Sequence, residues 1–264
     1  MKLRAPRPTP LGAVRSSAAL EARYRARLER AIDDMNASLV YWLRARYRAT
    51  GAAMALDASP AAELRRAMRK LARRWQAQFD ALAPKLAAWF ATAANERVDG
   101  DLKRMLREGG FTVRFTMTRK QNETYQAVIG ENVALIKSIA SQHLAAVEGV
   151  VMRSVQAGRD LGSLVKALEE GYGVTRRRAA FIAKSQNNMA TAVLERTRQL
   201  ELGLTHAQWG HSAGGREPRP EHVAFSGKTY EIAKGAFLEG KWTWPGVEPN
   251  CRCVSYPIIP GFDD

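Results

Sequence analysis

The chain has 264 residues, 46% of them apolar, and a formal net charge of +15. That apolar fraction is ordinary for a globular protein, and the length fits one large domain or two modest ones. No run approaches the roughly 20 apolar residues of a membrane-spanning helix, and the stretch from Met1 to Ser17 lacks the uninterrupted apolar block of a secretory signal. These features point to a soluble protein made in a reducing cytoplasm, where its two cysteines are thiols or ligands rather than a disulfide.

The charge is uneven. Residues 1–200 carry 35 Lys+Arg against 18 Asp+Glu, a net of +17, whereas residues 201–264 carry 6 against 8, a net of −2. A basic body favours a polyanionic neighbour, either nucleic acid or an acidic protein surface. Arginine-rich helix faces that are merely solvated give the same balance.

Residues 1–16, with three prolines and four basic residues, read as an extended basic arm. Leu20, Tyr24, Leu28, Ile32, Met35, Leu39, Trp42 and Leu43 then recur at spacings of three and four, which predicts a long amphipathic helix with arginines on its outer face. Gly51 marks its stop. Ser59 is the expected N-cap of the next helix, with Pro60 at its first position and Glu63 in its first turn. That helix carries Leu64, Met68, Leu71, Trp75, Phe79 and Leu82; Pro84 is expected to kink or restart it before Trp89 and Phe90. From Phe111 to Met117 the period changes to two, as in a short strand or an extended linker. Helical spacing resumes over 121–156 and ends at Gly158. A short helix is predicted from Asp160 to about Glu170, closed by Gly171 and Gly173. A further helix runs from an N-cap-like Thr175 to Gly203, with Ala179, Ile182, Met189, Val193, Leu194 and Leu200 on its apolar face. Arg176, Arg177, Arg178 and Lys184 near its start would oppose the helix macrodipole.

After Gly203 the composition shifts. Residues 204–264 hold three of the four histidines, three of the six tryptophans, both cysteines and six of the eleven prolines. The stretch "LTHAQWGH" is a strand candidate, and the rest reads as loops and short strands around a small nucleus. The predicted fold is therefore mainly α with a small α+β C-terminal module: long amphipathic helices followed by a compact loop-and-strand domain rich in Trp, His and Cys. Its divisions are the arm 1–16, helical regions 17–120 and 121–203, and the module 204–264.

The module has an ordered set of residues. A helix "RAAFIAKSQNNMATA" is followed by Trp209, Arg219, Pro220, His222 and Gly227, and then by Asn250, Cys251, Arg252 and Cys253. This pattern resembles the phage Mu F-like minor head protein family, also called the phage head morphogenesis family, over about residues 145–260. Where family members commonly carry an aspartate after the tryptophan strand, this chain has Ser212 to Gly215. The resemblance implies a non-enzymatic, low-copy component of a tailed-phage virion that acts in capsid assembly. It would be associated with the portal and packaged DNA, in the head interior or at the portal vertex, after assembly in the host cytoplasm. Arg23, Arg27, Arg30, Arg44, Arg48, Arg176, Arg177 and Arg178 are the basic residues expected to face DNA or the portal.

Two readings of the thiols stay open. A turn can make cysteines at i and i+2 converge, and Pro249 and Asn250 supply turn chemistry just before them. Cys251 and Cys253 with His222 and His211 would then make a structural zinc site, with His206 as a further candidate ligand. Alternatively the thiols are simply packed beside hydrogen-bonded histidines. Arg219 and Arg252 are expected to pair with Glu217, Glu221 or Glu248, and Asn250 to bond local backbone. Trp242, Trp244, Phe225, Tyr230 and Tyr256 are read as core. The alternative functions are a basic DNA-binding protein with no fixed place in a capsid, or a metal-dependent nuclease using His222 and Glu221.

Overall fold

The computed structural model describes residues 10–52, 60–156, 161–213 and 217–259. Four long helices, α1 Ala18–Ala52, α2 Pro60–Glu108, α3 Arg119–Gln156 and α4 Leu161–Glu201, precede a short α5 Pro220–Ala224 and five short strands. The molecule is 70% helical, so the fold is mainly α with a small antiparallel-strand module at its C-terminal end, as the sequence predicts. Residues 1–9, Ser59 and the stretch 157–160 lie outside the described residues.

Local chemistry sets the helix ends. Ser17 Oγ accepts the Leu20 N–H at 3.2 Å and caps α1, and Thr118 Oγ1 accepts the Gln121 N–H at 3.1 Å and caps α3. At the end of α4 the Leu204 N–H reaches the Gln199 carbonyl and the Gly203 N–H the Leu200 carbonyl. This closing pattern requires a left-handed residue, and Gly203 supplies it with φ of 74°. The chain is thereby turned into its first strand.

Several local expectations are corrected. α1 continues past Gly51 to Ala52. α2 runs through Pro84 without restarting; the proline is on an exposed face, where solvent can take the carbonyl its ring leaves unpaired. Residues 111–118 form no strand ladder and are the extended link from α2 to α3. The two helices expected over 160–203 are one helix, α4, with Gly171 and Gly173 in its interior. Glycine there costs about 0.5–1 kcal/mol relative to alanine, and an unbroken stripe of Leu164, Leu168, Ala179 and Ile182, all buried, offsets it. Thr175 is no N-cap: its hydroxyl donates to the Gly171 carbonyl one turn back. Arg176–Arg178 are consequently mid-helix and do not oppose the macrodipole of a helix start.

The chain forms two compact units, each discontinuous in sequence. One comprises Ala22–Ala88 and Gly130–Ala183. It buries Leu28, Ile32, Met35, Leu39, Leu43, Leu64, Met68, Phe79, Ile136, Ile139 and Leu168. Within this apolar mass the Tyr24 hydroxyl donates to Asn132 Oδ1 at 2.8 Å, and burial pushes the Tyr24 pKa up. His143 Nδ1 and Thr175 Oγ1 lie 2.8 Å apart, and burial lowers the His143 pKa. Trp42, expected in the α1 stripe, is 44% exposed and stacks edge-on with exposed Tyr41.

The other unit comprises Met1–Glu21, Trp89–Ile129 and Lys184–Asp264. Its helical part is held by a buried cation. Arg198 grips Asp99 with two bonds of 2.8 and 3.0 Å, and also reaches Glu201 and the Thr116 carbonyl. Its guanidinium lies over the Phe115 ring, so one side chain ties α2, the link and α4 together. The described part of the arm is extended and anchored: the Leu11 N–H bonds the Pro257 carbonyl, and Val14 is buried.

Candidate metal centre

The site is built around β1 His206–Gly210, the middle strand of a three-stranded antiparallel sheet. β2 Thr229–Glu231 lies on one side and β5 Val254–Ile258 on the other, pairing Gly210 with Val254 and His206 with Ile258. Gly210 is required there, since a side chain would collide with the Tyr256 ring. A separate hairpin joins β3 Ala236–Leu238 to β4 Lys241–Thr243. Trp209 is fully buried, with His222, Phe225 and Tyr230 edge-on around it at centroid distances of 5.1, 5.8 and 5.9 Å. The Gly227 turn closes this nucleus through hydrogen bonds to the Trp209 backbone.

His222 comes from α5. Arg219 stands at the N-cap in extended backbone and Pro220 opens the helix, with φ already set for it. That helix turns His222 inward, where it is 2% exposed. The cysteines arrive through a turn whose chemistry is legible. The Cys251 N–H bonds the Glu248 carbonyl at 2.9 Å, Pro249 is the second residue of the turn, and Asn250 is the third with φ of 60°. Proline followed by a left-handed Asn is the signature of a type II turn. α4 grips it from below: the Asn250 N–H faces Ser185 Oγ at 3.4 Å, and Asn188 Nδ2 donates to the Cys251 carbonyl at 2.9 Å.

The result is convergence. Cys251 and Cys253 are both buried while Arg252 between them is exposed. Cys251 Sγ lies 3.6 Å from His222 Nδ1, and Cys253 Sγ lies 3.7 Å from the same nitrogen. His211 Nδ1 is 3.6 Å from Cys253 Sγ. The donor atoms of His222, Cys251 and Cys253 all fall within 4.8 Å of one another, the arrangement needed to share one ion. The Cys251 thiol is pulled down to about 5, first by a hydrogen bond from Cys253, then by the Cys253 and Gly246 backbone N–H groups and His222. The Cys253 thiol is pushed up by the same bond and by burial. His222 Nε2 is buried without a hydrogen-bond partner. A cleft of about 700 Å³ opens on the group, lined also by Lys184, Glu217, Arg219 and Arg252.

Other predicted residues fall elsewhere. His206 is exposed, and its ring pairs with the Thr205 hydroxyl rather than with the sulfurs. Arg219 pairs with Glu239 at 3.3 Å and donates to the Pro249 carbonyl, rather than meeting Glu217 or Glu221. Glu248 is bound by Lys241 at 2.9 Å. Glu221 accepts the Glu239 N–H while His222 faces the sulfurs, so the two do not form an open acid–base pair. Tyr230 is core, and Trp244 and Phe225 are packed against it. Trp242, expected in the core, is 47% exposed on the β3–β4 hairpin, against Phe237 and Lys234. Of the basic set, Arg23, Arg27, Arg30, Arg44, Arg48 and Arg177 are exposed. Arg176 is not available to an outside partner in the same way: Glu29 and Asp33 hold it at 2.7 and 2.9 Å. Arg178 donates to Ser138 Oγ. Asn188 and Ser185, which position the cysteine turn, lie in the motif helix, but helical periodicity gives them no role, because polar residues on a helix read as solvent-facing.

Residues 145–256 match the family model described as Phage Mu protein F like protein. This segment of the chain is similar to the phage Mu F-like family. The Mu F-like segment contains every residue of the ordered motif, from Trp209 through His222 to Cys253. A protein of Haemophilus influenzae (strain Rd) described as uncharacterized is 34% identical over 140 residues, which is 52% of this chain and 30% of that protein. The chain thus matches less than a third of that relative's length. No solved structure matches significantly. No helix among the described residues is long and apolar enough to cross a membrane.

Proposed function

We propose that this chain is a structural minor head protein of a tailed phage, acting in head morphogenesis and associated with the portal, the packaged DNA or both. The observation that carries this reading is the Mu F-like match over residues 145–256. Its partners are then the portal protein and other head proteins, at low copy number. Its place is the virion, in the head interior or at the portal vertex, after assembly in the host cytoplasm. The exposed arginines of α1 support a polyanionic or acidic surface as neighbour. The test is co-purification of the tagged full chain with the portal protein from cells producing particles. Retention at salt high enough to strip DNA is expected; loss of the portal at every salt concentration would overturn the reading.

The same arginines favour a second reading, a basic DNA-binding protein with no fixed place in the capsid. It predicts tight binding to free duplex with a steep salt dependence, because phosphate contacts release counterions. The nuclease reading gains no support from the geometry, since Glu221 and His222 are committed to different partners.

A further inference from the structure

We propose that Cys251, Cys253, His222 and His211 bind one structural zinc ion that locks the cysteine turn and the α5 segment together at the end of the Mu F-like module. The first support is spacing. Tetrahedral zinc with bonds of about 2.3 Å to sulfur and about 2.0 Å to imidazole nitrogen places sulfur and nitrogen about 3.5 Å apart. Three of the four sulfur–nitrogen separations here are 3.6, 3.7 and 3.6 Å. Three donors form the tight buried group, and half-buried His211, which lines the cleft and lies 3.6 Å from Cys253 Sγ, is the side chain at hand to supply the fourth ligand.

The donor chemistry is selective. Two thiolates and two imidazoles suit zinc, whereas magnesium and calcium require oxygen ligands. Three local features hold the donors in position. They are the type II turn at Pro249–Asn250, the Asn188 bond to the Cys251 carbonyl, and the proline-started α5. Such fixed supports are what a metal site needs beyond its ligands. Four protein ligands leave no open position, so the role is structural rather than catalytic. The strands of the module are three to five residues long and bury little on their own, which gives a metal clamp a clear structural use.

The experiment uses the full chain purified without chelator. Elemental analysis is expected to find about one zinc per chain, and both thiols should resist alkylation until a chelator strips the metal. Cobalt exchanged into the site should give the visible bands of a tetrahedral thiolate complex. Cys251→Ser and Cys253→Ser should each abolish binding, and His211→Ala should weaken it by about tenfold or more while leaving the metal three protein ligands. Because the cysteine variants can fail to fold, the wild-type metal content and thiol protection decide the matter. Folded protein without zinc, which takes up neither zinc nor cobalt and whose thiols are alkylated at the same rate with or without zinc, would overturn the proposal and leave the thiols as packing groups. The head-protein reading would survive that result, since it is tested by partner capture.

Discussion

The two halves of α4 bury different balances of side chain, mostly apolar in one and mostly polar in the other. Residues 161–183, in the helical unit, bury Leu164, Leu168, Ala179, Ile182 and Ala183, with Thr175 as the buried polar residue among them. Residues 184–201, in the unit that holds the sheet, bury Gln186, Asn187, Asn188, Thr191, Glu195, Thr197, Arg198 and Gln199 beside only Ala190 and Leu194. The first half is held by area removed from water, which is non-directional. The second is held by directed bonds. Asn187 donates to the Ser17 carbonyl, Asn188 accepts from Ser16 and donates to Cys251, and Gln199 donates to Glu195. One helix thus supplies a generic core at one end and a specific anchoring surface at the other. Only the second can place two sulfurs and an imidazole within bonding range of one point.

The contrast between the halves is most exposed to challenge at Arg198, whose side chain is 2% exposed. Arg198→Met leaves Asp99 and Glu201 half-buried without their cation, and unfolding in urea is expected to show a loss of about 3–5 kcal/mol. Asp99→Asn in the same chain should restore part of that loss, because the two sites are in contact. Leu168→Ala, in the apolar half, should cost about 3 kcal/mol through the cavity it leaves. Asn188→Ala should cost about 1–3 kcal/mol by leaving the Cys251 carbonyl and Ser16 unpaired. A Leu168→Ala loss well above that of Arg198→Met would mean that burial, not directed bonding, dominates both halves.

The smallest effects are those of pH, and they have opposite signs in the two regions. Burial raises the Glu195 pKa well above the ordinary carboxylate value. The folded state then holds a proton that the unfolded chain releases, so stability falls as pH rises past the ordinary carboxylate range. Glu195→Gln should therefore be more stable than the parent at neutral pH, with the gain vanishing in acid; equal melting curves at both pH values would contradict this. Burial lowers the His143 pKa. The unfolded chain then binds the extra proton, and stability is lost as pH falls through the usual histidine value of 6.5. His143→Gln should flatten that acid limb in a melting series.

Much of the apolar helix packing was legible in the sequence. Leu20, Tyr24, Leu28, Ile32 and Leu39 on α1, and Leu64, Met68 and Phe79 on α2, are all buried, because burial of an amphipathic stripe follows from periodicity alone. Glycine was misleading: Gly171 and Gly173 suggested an end where the continuing stripe holds one helix. Aromatic content was a weak guide to depth, since Trp209 is fully buried while Trp42 and Trp242 are half exposed. The site was partly legible. The turn before the cysteines and the pairing of His222 and His211 with them follow from residue types. The supporting Ser185 and Asn188 do not, because a polar residue on a helix has the same local pattern whether it meets water or a turn from far along the chain. Likewise Arg176 looks like its exposed neighbour Arg177 until Glu29 and Asp33 are brought beside it.

Under the zinc proposal, the directed-bonding half of α4 supports a mixed sulfur–nitrogen ligand set. X-ray absorption at the zinc edge of the reconstituted full chain probes that set atom by atom. Two sulfur and two nitrogen scatterers are expected, at about 2.3 and about 2.0 Å. A first shell of nitrogen and oxygen alone, with no sulfur, would contradict it.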